Sequence, residues 1–191
     1  MAIDIRKLGL GSLVRDEVMD VRRKARFPED LTGNHKEAVL AYEYLPAEKG
    51  KGKKGADISA RFQVKVRILE SDNERAPGRE HTLCFWLGGE HQKYSDRDRL
   101  GFIAACAGES VDAFIEGLTP EQANEKLLDI QQQLLDSSEK QELGKKEDGS
   151  YEVVIYHTRT CKQKERAVLK DGKAEVEKYL VANDYFNPVQ S

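Results

Sequence analysis

The chain has 191 residues, 39% of them hydrophobic and 34% charged, with a formal net charge of −3. This is enough apolar content for one well-buried domain with appendages, and no apolar run is long enough to cross a bilayer. Three cysteines without CxxC spacing, with no signal peptide ahead of them, exclude a disulfide framework and predict a reduced, soluble, intracellular protein.

Residues 1–33 form a polar N-terminal arm with a short amphipathic stretch through Arg15-Asp16-Glu17 and a basic cluster at Arg22-Arg23-Lys24-Arg26. Glu37 to Leu45 reads as the first strand of a domain covering 34–191, with Val39, Ala41 and Glu43 on one side and Leu40, Tyr42 and Tyr44 on the other. Pro46 and the run from Glu48 to Gly55 then break it into a cationic loop. From Ile58 to Ile68 the apolar residues Ile58, Ala60, Phe62, Val64, Val66 and Ile68 alternate with Ser59, Arg61, Gln63, Lys65 and Arg67. That is a strand with one dry and one wet face, and the wet face carries cations two residues apart that repel unless an anion lies across them. Between Glu48 and Arg67, seven basic residues stand against two acidic ones.

Pro77-Gly78 marks a turn, and His81 to Leu87 a third strand with Leu83, Phe85 and Leu87 opposite Thr82, Cys84 and Trp86. A helical insertion follows at about 95–141. Ser95 with Asp98 resembles a capping box, Gly108 stops the first helix, and a short second helix carries Val111, Phe114, Ile115 and Leu118. Thr119-Pro120-Glu121-Gln122 signals a third, with Ala123, Leu127, Ile130 and Leu134 at helical spacing and its acidic side toward solvent. Tyr151 to Thr160 is the fourth strand. Cys161 to Lys178 is a basic connection with a turn at Asp171-Gly172, and Tyr179 to Tyr185 closes the chain.

Three strands, helices, then two strands make a mainly β protein with helices (α+β), in the order of an OB-like five-stranded Greek-key barrel with helices between strands three and four. Such barrels meet nucleic acid through strands two and three and through the loops joining strands one to two and four to five, where the lysines concentrate here. Single-strand binding needs cations to track phosphates and aromatic faces on which bases stack. The candidate cations are Lys49, Lys51, Lys53, Lys54, Arg61, Lys65, Arg67, Lys162, Lys164 and Arg166; the candidate platforms are Tyr42, Tyr44, Trp86, Tyr94 and Tyr156. Phe62 and Phe85 are assigned to the core. The four histidines are too scattered for a zinc motif, and neither a cofactor nor a catalytic constellation is expected.

The strand Ala60-Arg61-Phe62-Gln63-Val64-Lys65-Val66, the helix Leu100 to Gly108 and the ending Asn183-Asp184-Tyr185-Phe186-Asn187-Pro188-Val189 resemble a family of bacteriophage single-stranded DNA-binding proteins associated with recombination. The resemblance implies an OB fold and sequence-tolerant binding of single-stranded DNA in support of phage DNA replication or recombination, in the cytoplasm of the bacterial host. A phage recombinase or replication protein and further copies of the same chain, in a homo-oligomer, are candidate partners, and no membrane is expected. The last five residues, Asn187 to Ser191, lack the acidic tip through which many bacterial single-strand binders recruit partners, so recruitment by that route is not expected. Two other classes stay open. The acidic third helix suits an interaction module that inhibits or recruits a host factor, and Gln63-Val64-Lys65 after Asp57 faintly matches a magnesium-dependent nuclease signature.

Overall fold

A computed structural model describes Asp4 and residues 32–52, 55–89, 92–170 and 173–188. The expected N-terminal arm therefore lies outside the described residues, apart from Asp4, Thr32 and Gly33. The chain is α+β: β1 (Gly33–Leu45), β2 (Arg61–Ser71) and β3 (Glu80–Trp86) precede α1 (Gln92–Cys106), α2 (Val111–Ile115) and α3 (Pro120–Glu139). Two long strands, β4 (Val154–Lys170) and β5 (Lys173–Pro188), end it. All five strands join one antiparallel sheet in the order β3-β2-β1-β4-β5.

The wet and dry alternation of β2 is realised along the strand, with Phe62, Val64, Val66 and Ile68 fully buried while Lys65 is exposed. The strand starts later than expected, at Arg61, and Ile58 instead makes an isolated bridge to Glu48 inside the β1–β2 loop. In β1 the expected faces change part-way. Val39 pairs with Val66 and Ala41 with Lys65, so Leu40 is an extra residue. A bulge of this kind shifts the period by one, and every later side chain changes face. Tyr42 is thereby turned inward, 1% exposed and stacked between Phe62 and Phe102 at centroid distances of 5.5 and 6.0 Å.

The edge strands of a flat five-stranded sheet would lie about 19 Å apart. Here Phe85 of β3 and Phe186 of β5 meet with ring centroids 6.4 Å apart, and both touch Phe102 of α1, at 5.4 and 5.7 Å. The sheet is therefore strongly curled around an apolar core, with α1 set against both edges. Among the described residues no backbone pairing joins β3 to β5, so the sheet is not closed into a barrel by hydrogen bonds.

Local signals account for most of the helices. Thr119 and Gln122 form the expected capping box, and Ala123, Leu127 and Leu134 are buried. Ser110, which no sequence signal singled out, caps α2 through the Ala113 amide. Gly108, at φ 77°, ends α1 as expected. Ser95 and Asp98 do not cap α1: the helix already begins at Gln92, and both side chains are buried within it. The capping pattern was overridden because Ser95, Asp96, Asp98 and Arg99 are themselves packed into the interior, so tertiary burial and not a local cap sets where the helix begins.

The expected basic connection after Thr160 is also strand. β4 and β5 pair from Ile155↔Pro188 out to Lys170↔Lys173, whereas β1 pairs with β4 only from Val154 to Arg159. Beyond Arg159 the hairpin continues as a two-stranded ribbon, paired with no other strand among the described residues.

Candidate functional site

The outer face of β2 and β3 carries a coherent polar row. Register places Arg61 opposite Trp86, Gln63 opposite Cys84, Lys65 opposite Thr82 and Arg67 opposite Glu80. Leu83 and Phe85 face the core, so Trp86 is on the outer side of its strand, as expected, half-buried and outside the apolar core cluster. The Arg61 guanidinium lies over the indole, 5.3 Å from its centroid, with only 15% of the Arg61 side chain exposed. An arginine over tryptophan is a favourable cation–π arrangement.

Lys65 and Arg67 are not the uncompensated cations that alternation implied. Glu80 accepts from both: Lys65 Nζ is 2.7 Å from its Oε2, and Arg67 donates through Nε at 3.1 Å and through a second guanidinium nitrogen. These bonds hold the Glu80 carboxyl below the usual carboxylate range and raise Arg67, chiefly through its hydrogen bond to Glu80. The anion across the wet face is thus the protein's own, reached from the neighbouring strand.

The β1–β2 loop springs from the same end of the sheet as Arg61 and Trp86. Leu87 donates its amide to the Ala60 carbonyl, and Arg61 Nη1 is 3.9 Å from Glu48. Lys49 and Lys51 are exposed there, and the loop is held by Gly50 N–H to Asp57 at 2.9 Å and Gly52 N–H to the Ala56 carbonyl at 2.7 Å. Lys53 and Lys54 lie outside the described residues.

Other expected members are not gathered here. Tyr42 is excluded as a stacking platform by its burial, which also drives its hydroxyl pKa upward. Tyr44 is half-buried and packs its ring on Phe62 at 5.5 Å, so it lines the core rather than offering a free face. Tyr156 is 36% exposed but pairs with Lys36, nine residues along β1 from the Leu45 that flanks Arg61, which is roughly 30 Å away at strand spacing. Lys162, Lys164 and Arg166 occupy alternate positions on β4, opposite Val181, Tyr179 and Glu177, rather than a loop. The long antiparallel pairing runs through all three, and two of their partners, Val181 and Tyr179, are residue types that favour strands.

A second constellation was not anticipated. At one end of the curled sheet the inner face carries charge instead of hydrocarbon. Glu37 of β1, His157 of β4 and Asp184 of β5 are buried, and His81 of β3 adjoins them. Glu37 Oε1 is 2.8 Å from His81 Nε2 and 3.1 Å from His157 Nδ1; His157 Nε2 is 3.1 Å from Asp184 Oδ1, which also accepts from Arg159 Nε at 2.9 Å. Burial alone would neutralise these groups, but their mutual attraction prevails. Against desolvation, His157 and His81 hold Glu37 down to about 2, and Glu37 with Asp184 lifts His157 to about 9. Asp184 is held well below the carboxylate range by His157 and Arg159, again against burial. The sequence signal was present: Glu37 shares a strand side with Val39, and His157 and Arg159 share one with Ile155, so ionic groups interrupt a core-facing row.

No protein-family model, curated protein or solved structure matches the chain. Among the described residues no helix is long and apolar enough to cross a membrane.

Proposed function

We propose that the protein binds single-stranded DNA with little sequence preference, in support of phage DNA replication or recombination in the host cytoplasm, as a binding protein and not an enzyme. The observation that carries this reading is the Arg61–Trp86 stack, set beside Lys65 and Arg67 on one outer face and beside the exposed Lys49 and Lys51 of the adjoining loop. A planar aromatic with cations in line is the combination that single strands require, since bases supply π faces and the backbone supplies charge. The strand order supports it too: β1 flanked by β2 and β4, with β3 and β5 curling toward each other, is the order of an OB barrel, in which β2 and β3 meet the nucleic acid.

The pairing of Lys65 and Arg67 with Glu80 does not oppose this. Exposed ion pairs contribute little, so a phosphate can displace the carboxylate at small cost. A phage recombinase or replication protein is the partner class this role calls for, and self-association along the strand is consistent with it.

The test is a fluorescence-polarisation titration with single- and double-stranded DNA and RNA of equal length at two salt concentrations. Preference for single-stranded DNA, with affinity falling steeply as salt rises, is the expected result. Equal affinity for duplex, or affinity independent of salt, refutes the proposal.

A further inference from the structure

We infer that Glu37, His81 and His157 form a zinc site that clasps three strands of the curled sheet across its inner face. The three residues stand on β1, β3 and β4, and each offers one ligand atom, no two of them farther than 4.8 Å apart. Tetrahedral zinc with bonds of about 2.0–2.1 Å places its ligand atoms roughly 3.3 Å from one another. Glu37 Oε1 to His81 Nε2, at 2.8 Å, and Glu37 Oε1 to His157 Nδ1, at 3.1 Å, lie just inside that spacing, and the two imidazole nitrogens lie within 4.8 Å of each other, so an ion enters by spreading the carboxylate from both rings and drawing the rings to the tetrahedral separation.

Two further features distinguish this cluster from a set of buried ion pairs. The first is the outer partner of His157. Its second ring nitrogen, Nε2, faces Asp184, and Asp184 is in turn held by Arg159. A carboxylate on the far nitrogen is what fixes the tautomer and ring orientation of a metal-bound histidine and raises its donor strength. The second is His81. Glu37 and Asp184 already have His157 and Arg159 as hydrogen-bonded cationic partners, yet His81 directs Nε2 at the same Glu37 oxygen that His157 approaches. A second imidazole on one carboxylate oxygen adds little to an ion pair and completes a metal triad.

The donor set narrows the ion. Two imidazoles and one carboxylate suit a first-row transition ion, zinc with a water in the fourth position among them, whereas magnesium and calcium prefer all-oxygen surroundings. His81 is 11% exposed at its side chain while its two partners are fully buried, so the ion reaches the site from the His81 side, where the fourth position is left to water. A clasp here has a mechanical consequence. β3 and β4 are not hydrogen-bonded neighbours, and the ion would tie one to the other across β2 and β1, holding the curl at the end where ionic groups replace the apolar core.

The experiment uses the full chain stripped with a chelator and dialysed against zinc chloride, followed by metal analysis and thermal melting. One zinc per chain is expected, with a rise in melting temperature of roughly 5–10 °C at a hundredfold excess over Kd and no rise with magnesium at the same concentration. His81→Gln should lose the bound zinc and the rise while its metal-free melt matches the parent. In the parent, cobalt substituted for zinc should show the visible absorption of a tetrahedral ion, a reading that does not depend on any variant folding. Less than a tenth of an equivalent of zinc retained by the parent, a cobalt spectrum of the octahedral aquo type, or zinc held as tightly by His81→Gln as by the parent would overturn the inference.

Discussion

Replacing Trp86 by alanine separates a stacking platform from a structural residue. Stacking of one base on an aromatic side chain is worth ~1–3 kcal/mol by alanine substitution. At Trp86 one face of the indole is already covered by the Arg61 guanidinium at 5.3 Å, an interaction worth ~0.5–1 kcal/mol at a partly exposed site. A base that takes that face must displace the arginine, so the net loss should fall toward the lower half of the range, about 1–2 kcal/mol, or roughly 5- to 30-fold in Kd. Because Trp86 is half-buried and outside the apolar core cluster, its removal should not unfold the chain. Trp86→Phe keeps a π face and should keep most of the affinity. The assay is fluorescence polarisation of a labelled oligonucleotide at fixed low salt, with thermal melts run in parallel. As the only tryptophan in the chain, Trp86 should also be quenched when unlabelled oligonucleotide is added. An alanine variant that melts normally and binds like the parent, or a fluorescence that oligonucleotide leaves unchanged, refutes the assignment.

Glu80→Gln should tighten binding and steepen the dependence of log affinity on log salt, by up to about 0.7 for each additional phosphate neutralised, because Lys65 and Arg67 lose their internal counterion; salt titrations of parent and variant check this. Tyr42→Phe should leave DNA binding unchanged and leave stability equal or slightly higher, since the buried hydroxyl has no hydrogen-bond partner among the described residues; Tyr42→Ala should cost about 3–5 kcal/mol in urea denaturation, as expected for a large core ring. Gly33→Ala should destabilise by about 1–3 kcal/mol, because Gly33 sits at φ 142° and a Cβ there would collide with the Asp72 carboxylate that binds Asn34. In the metal-free chain, stability from the Glu37–His157 contact should be fully present between about pH 4.5 and 6.5. His157 is raised to about 9, so this contribution is lost as pH climbs through that value; Glu37 is lowered to about 2, so it is lost as pH falls toward it. Urea melts across pH with chelator present should show that plateau, and His157→Asn should flatten the alkaline limb.

What could be read from the sequence was whatever short-range chemistry decides. Alternation over Arg61 to Ile68 named the dry and wet faces of β2 correctly, because side chains two residues apart share a side whatever lies beyond. The Thr119–Gln122 cap was legible for the same reason, since its donors and acceptors lie within one turn. The outward placement of Trp86 followed from the aliphatic residues that alternate with it. Tertiary structure decided the rest. One extra residue at Leu40 turned Tyr42 from a surface candidate into core, and nothing local marks a bulge that is set by pairing with β2. Lys65 and Arg67 were found sharing one carboxylate of the next strand, and the basic segment after Thr160 was drawn into a hairpin by β5. The ionic cluster was least legible of all: His81 and His157 stand 44 and 120 residues from Glu37 in sequence. Only the curl of a sheet that carries β3 and β4 on either side of β1 brings both imidazoles to one carboxylate, and curvature is a property of the packed whole rather than of any window of the chain.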